Sequence, residues 1–187
     1  MINFKNVTFA YKGSKEKILE NFSLNIEKGE RVWISGASGK GKTTVLRLIM
    51  GLEKPSKGVV EILNGARISA VFQEDRLIPF VSVKKNIALF SNDEKAGRLL
   101  SELGLEGYQD MAVDSLSGGM KRRVAVARAL SREFDILILD EAMNGLDAET
   151  EEKTAAVIDK YCKDKTVIFV THHGEQANRL CTRQIEI

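Results

Sequence analysis

The sequence predicts an α/β fold in which a mostly parallel sheet is covered by helices, with an antiparallel β portion at the N-terminus and a helical segment inserted later. Three observations predict it. Strand-sized apolar runs alternate with helical stretches along most of the 187 residues. A glycine-rich loop stands directly between a short apolar run (31–35) and a helical pattern. The run Ile136-Leu137-Ile138-Leu139 carries no polar residue, as a strand buried on both faces of a parallel sheet does.

Residues 2–11 and 22–26 alternate partially and end at turn residues, Gly13-Ser14 and Lys28-Gly29, so the opening reads as antiparallel strands over about 1–30. Val45, Leu46, Leu48 and Ile49 make 42–50 a buried helix, with Gly51 as its stop. Residues 59–63 and 68–72 read as two strands around Asn64-Gly65, a strong hairpin signal. Residues 79–116 read mainly helical, with polar breaks at 91–93 and 104–107, which places a helical lobe at about 74–117. A helix over 118–130, the strand 135–139, a helix over 148–161, a strand over 166–170 and a short closing strand over 183–187 complete a single domain spanning 1–187.

Composition bounds the function. The net charge of +2, from 28 basic and 26 acidic residues, lacks the basic surplus of a nucleic-acid binder. Cys162 and Cys181 form no CxxC pair, which argues against a disulfide framework or zinc site and for a reducing compartment. No leader-like stretch opens the chain, and its apolar runs fall far short of the ~20 residues of a membrane helix. The triplets at Asn6 and Asn21 match the glycosylation pattern, which a cytosolic chain would leave unused. The charged stretches 98–102 and 149–153 read as solvated helix faces.

Two motifs carry chemistry. The segment Ser35-Gly36-Ala37-Ser38-Gly39-Lys40-Gly41-Lys42-Thr43-Thr44 fits the phosphate-loop pattern GxxxxGK(S/T), between strand and helix as the mechanism requires. Glycines let backbone N–H groups close around phosphate oxygens, and the helix start adds partial positive charge. Lys42 then reaches the β- and γ-phosphates while the Thr43 hydroxyl holds Mg²⁺. The second motif is Asp140-Glu141, two carboxylates at the end of the buried strand, where open α/β sheets bind ligands. Asp140 suits a Mg²⁺ ligand and Glu141 a group that polarises water. These motifs predict a phosphate-loop NTPase core without choosing among kinases, GTPases and other such enzymes.

Leu116-Ser117-Gly118-Gly119-Met120 precedes a basic helix, 121–130, that ends Ala127-Arg128-Ala129-Leu130. Ser117 is a natural helix N-cap, and Gly118 and Gly119 leave room for a phosphate at the backbone amides. The segment strongly resembles the signature of the ABC ATPases, usually LSGGQ, and the resemblance covers nearly the whole chain. It implies that Tyr11 stacks on adenine and that Gln73 links the metal site to a transmembrane partner. It further implies that Asn144-Gly145-Leu146-Asp147 is the dimer-interface loop and that His172 contacts the γ-phosphate, leaving His173 a bystander. Met120 departs from the usual glutamine, and Asn144-Gly145 from the usual Ser-Ala pair. Residues 72–79 look like the ATPases of nitrate, sulfonate and taurine importers.

The implied protein binds Mg·ATP and hydrolyses it on the cytoplasmic face of a membrane, powering a separate permease, with or without a substrate-binding protein. It forms a head-to-tail dimer with itself or a homologous subunit, each ATP lying between one phosphate loop and the other signature. An ABC ATPase acting on DNA or ribosomes is the runner-up. The short stretch between phosphate loop and signature, without sustained heptads, and the presence of one such domain argue against it. A small-molecule kinase would leave 116–120 and His172 unexplained.

Overall fold

The computed structural model describes residues 1–14 and 16–187. Fifteen elements follow in chain order: β1 (Ile2–Phe9), β2 (Leu19–Ile26), β3 (Arg31–Ser35), α1 (Lys42–Ile49), β4 (Lys57–Ile62), β5 (Ile68–Val71), α2 (Val83–Ala88), α3 (Asp93–Glu102), a 3₁₀ turn (Val113–Ser115), α4 (Gly118–Ser131), β6 (Ile136–Asp140), α5 (Ala148–Tyr161), β7 (Thr166–Val170), α6 (Gly174–Leu180) and β8 (Arg183–Glu186). They build two sheets. One is antiparallel, in the order β2-β1-β4, and the other wholly parallel, in the order β5-β6-β7-β3-β8.

Every residue of β6 and β7 is buried, because both faces of the parallel sheet are covered. Successive side chains point to opposite faces. Ile136 and Ile138 pack with Ile168, Val170, α1 and the antiparallel sheet. Leu137 and Leu139 pack with Val167, Phe169 and helices α2 to α5. The helical lobe belongs to this second core, where Val83, Ile87, Leu99 and Leu105 are fully buried. Of the stretch 98–102, only part is solvated: Leu99 and Leu100 are buried while Arg98 pairs with Glu94 at the surface.

One expectation fails. Asn64-Gly65 makes a turn, with Gly65 at φ +77°, but no hairpin. β4 pairs antiparallel with β1, whereas β5 pairs parallel with β6, so the turn passes the chain from one sheet to the other. Turn chemistry dictates a reversal, and tertiary pairing decides which sheet receives the next strand. Helix α6 was also not expected; its seven residues, GEQANRL, are too few and too polar to show a helical period.

Parallel order has one consequence that governs function. The segments after β3, β5, β6 and β7 all leave the sheet at the same edge.

Candidate active site

At that edge lies a cleft of about 440 Å³, lined by Tyr11, Ser38, Gly39, Gly41, Lys42, Thr43, Thr44, Gln73, Asp140, Glu141, Asn144 and His172, with Ile18 and Val170. The loop after β3 runs into α1 through two glycines that no other residue could replace without cost. Gly36 has φ +141°, and a Cβ there would stand 2.3 Å from the Ile187 carbonyl oxygen. Gly41, at φ +101°, has the Ile18 side chain 3.0 Å from the position of a Cβ. Lys42 is buried, and its ammonium donates to the carbonyls of Gly36 at 2.7 Å and Ala37 at 2.9 Å. The loop thus holds its own cation at the phosphate cradle. Thr43 is exposed to the cleft, while Thr44 turns inward to bond the Tyr11 hydroxyl at 3.1 Å. Tyr11 stands edge-on to Phe9, with ring centroids 4.9 Å apart, which braces the ring at the cleft wall.

β6 delivers the acidic pair. Asp140 and Glu141 are each 7% exposed. Burial, and then the neighbouring Glu141 charge, push the Asp140 carboxyl up to about 6, against the opposing pull of Arg122 and Lys42. Glu141 sits at φ +52°, an uncommon conformation for a residue with a Cβ, and its N–H donates to the Val170 carbonyl at 2.9 Å. That bend turns the chain off the strand axis and leaves the Glu141 Oε1 3.6 Å from His172 Nε2. His172 follows β7 and is largely exposed.

The donors Thr43 hydroxyl, Gln73 amide oxygen and Asp140 carboxylate line one cleft and are all oxygens, the ligand type Mg²⁺ requires. Among the described residues no cluster of three or more His, Cys, Asp or Glu side chains could hold a metal, so a cation here would rest on one or two carboxylates, neutral oxygens, water and phosphate.

Lys40 is exposed on the phosphate loop and lies outside the cleft lining, as do Gly36 and Ala37 except through their bonds to Lys42. Ser117, Gly118 and Gly119 lie apart from the cleft, at the start of α4. Ser117 caps that helix, accepting from Met120 N–H at 3.3 Å. A Cβ on Gly119 would stand 3.4 Å from the Leu146 side chain, so the signature start touches the 144–147 loop within one chain. Asp147 of that loop also caps α5, accepting from Thr150 N–H at 2.9 Å.

The arginines of α4 have no assigned role at the level of sequence. Arg122 donates to the carbonyls of Phe72 and Gln73 and pairs with Asp75, and Arg128 donates to the carbonyls of Asp75 and Arg76. The helix that begins with the signature therefore clasps the Gln73 segment. Only the spacing of these residues on a basic helix hinted at it, and basic helix faces are usually solvated.

Fold and cleft together define a phosphate-loop NTPase. A family model described as ABC transporter matches residues 19–144. The taurine import ATP-binding protein TauB of Roseobacter denitrificans is 37% identical over 92% of this chain and 71% of its own length. The aliphatic sulfonates import ATP-binding protein SsuB of Bacillus subtilis is 40% identical over 94% of this chain and 74% of its own length. The ATP-binding cassette MJ0796, solved as a dimer in a post-hydrolysis state bound to ADP and Pi, superposes with a TM-score of 0.90 at 34% identity, over 100% of this chain and 94% of that one. The chain belongs to the ABC transporter family and is an ABC-type ATPase that binds and hydrolyses ATP.

Proposed function

We propose that this chain is the ATP-hydrolysing subunit of an importer, working as a single cassette domain on the cytoplasmic face of a membrane and driving a separate permease. The observation that carries the reading is the convergence of Lys42, Thr43, Gln73, Asp140, Glu141 and His172 on one cleft. No helix among the described residues is long and apolar enough to cross a membrane, so the passage for solute would belong to the partner. Relatives named for taurine and aliphatic sulfonates make an organosulfonate the first solute to test.

In this reading Tyr11 stacks on adenine, and the phosphate-loop amides of residues 36–44 with Lys42 bind the phosphates. Thr43, Gln73 and Asp140 hold Mg²⁺, which when bound offsets phosphate charge. A carboxylate that burial and Glu141 destabilise is a fitting ligand for a cation. Glu141 orients and polarises the attacking water, and His172, beside it, meets the γ-phosphate. Ser117 and the amides of Gly118 and Gly119 serve the facing subunit's nucleotide. Closure of the dimer passes to the permease through the segment of Gln73, which α4 clasps.

Glu141→Gln tests this directly. It removes the charge on which water activation depends and preserves shape, so hydrolysis should fall by orders of magnitude while ATP binding persists. Gel filtration with Mg·ATP should then show a stable dimer. A monomer at high protein concentration with nucleotide bound would defeat the sandwich reading.

A further inference from the structure

His172 is mostly exposed, yet the peptide that carries it is held by a buried polar chain. Thr171 is 1% exposed and Gln176 5%. The Thr171 carbonyl accepts from Trp33 Nε1 at 3.1 Å. The Thr171 hydroxyl accepts from the His173 N–H at 3.1 Å and donates to Gln176 Oε1 at 3.0 Å. Gln176 Nε2 in turn donates to Glu151 Oε2 at 2.7 Å. Glu151 lies in the first turn of α5, and its N–H donates to the carbonyl of Asp147 at 2.8 Å.

The polarity of this chain is fixed. A carboxylate accepts only, so Gln176 must present its NH₂ to Glu151. Its carbonyl oxygen is then left to accept from Thr171, whose own lone pair takes the His173 amide. A neutral amide donates at one end and accepts at the other at any pH near neutrality, as this position requires. A carboxylate at position 176 would face Glu151 at hydrogen-bond distance, like charge against like charge in a buried setting.

We infer that Gln176 is a positioning residue for hydrolysis: through Thr171 and Glu151 it ties His172 to the first turn of α5, and so to the 144–147 loop whose Asn144 lines the cleft. The inference rests on the reading of His172 as the group that meets the γ-phosphate. It gives the loop a route to the catalytic edge that does not pass through nucleotide. When the loop moves, α5 moves with it, and the Gln176 bridge carries that shift to the end of β7.

The test is a charge-exchange cycle on the full chain, with kcat and KM for Mg·ATP measured at each corner. Gln176→Glu should lower kcat by about tenfold to a hundredfold, the effect of misplacing a reacting group, with KM held within about twofold. Glu151→Gln keeps a donor-acceptor pair with Gln176 and should lose less than about threefold. The double variant Glu151→Gln/Gln176→Glu restores one amide and one carboxylate in reversed order, and kcat should return to within about threefold of the parent. Glu151→Ala, at a partly exposed position, folds more readily than a buried charge and should lower kcat several-fold without moving KM. A parental kcat in Gln176→Glu or in Glu151→Ala would overturn the inference. So would a double variant no faster than Gln176→Glu, or kcat and KM changing together with a lowered melting temperature. His172→Ala, run alongside, separates the two claims. If it hydrolyses at the parental rate, the His172 reading fails; if it is inactive while the cycle shows no coupling, only the Gln176 inference fails.

Discussion

The fold presents the cleft and the signature in opposite ways. At the cleft, segments after four parallel strands meet, and Lys42, Asp140 and Glu141 are each 7% exposed. Burial and the adjacent Glu141 charge raise the Asp140 carboxyl. At the signature, Ser117 and Gly118 are exposed, and the groups on offer are one hydroxyl and the amides of a single helix start. The cleft is a pocket that a nucleotide can enter. The signature is an exposed surface, and in the proposed reading it meets the nucleotide of a second subunit.

The largest effect should come from the cleft. Lys42→Ala removes a buried cation and leaves the Gly36 and Ala37 carbonyls without their donor. Losing one partner of a buried charged contact costs about 2–5 kcal/mol, roughly 30-fold or more in ATP affinity. Calorimetry on the monomer should register this loss, and hydrolysis should be abolished. Parental affinity would mean that the loop backbone binds phosphate unaided.

Ser117→Arg probes the other surface and should separate binding from turnover. Its side chain would occupy the ground of the facing phosphate, so ATP-driven dimerisation and hydrolysis should both be lost. Affinity of the monomer for ATP should stay within about twofold, because the cleft is elsewhere; the lost cap costs only about 1 kcal/mol of stability. Full hydrolysis in this variant would reduce residues 116–120 to a helix cap. Lost monomer affinity would collapse the distinction between the two surfaces.

How much of this was legible follows the same divide. The phosphate loop, Asp140-Glu141 and the signature are contiguous in sequence, since backbone geometry over a few residues creates them. Their assembly was legible only through the rule that parallel strands share an edge. What stayed hidden depends on contacts distant in sequence. The pairing of β4 with β1 cancelled the hairpin that Asn64-Gly65 suggests. The left-handed turn at Glu141 appears in a residue whose type does not favour it. The Arg122 and Arg128 clasp spans about fifty positions. Gln176 stands in a segment to which the sequence alone assigns no element, and its burial and partners appear only in the folded chain.

The smallest effect, and the finest test of the comparison, concerns Met120. The family's usual residue there is glutamine, and the sequence alone marks only the loss of a polar group. The structure adds that Met120 is partly buried and packs against the core shared with α2 to α5. Its N–H is engaged by the Ser117 cap at 3.3 Å, which keeps the hydroxyl hydrogen of Ser117 available to a phosphate. If the signature works through Ser117 and the glycine amides, Met120→Gln restores at most one neutral hydrogen bond, about 0.5–1.5 kcal/mol. Hydrolysis should therefore change by less than about tenfold in either direction. The exchange also withdraws an apolar side chain from partial cover, at a cost of about 1 kcal/mol, which in a chain of this size lowers the melting temperature by roughly 2–4 °C. Thermal unfolding and ATPase assays on one preparation read both. A large change in rate with no change in melting temperature would show that position 120 faces the partner's nucleotide rather than the core. The signature surface would then be wider than the helix start that defines it here.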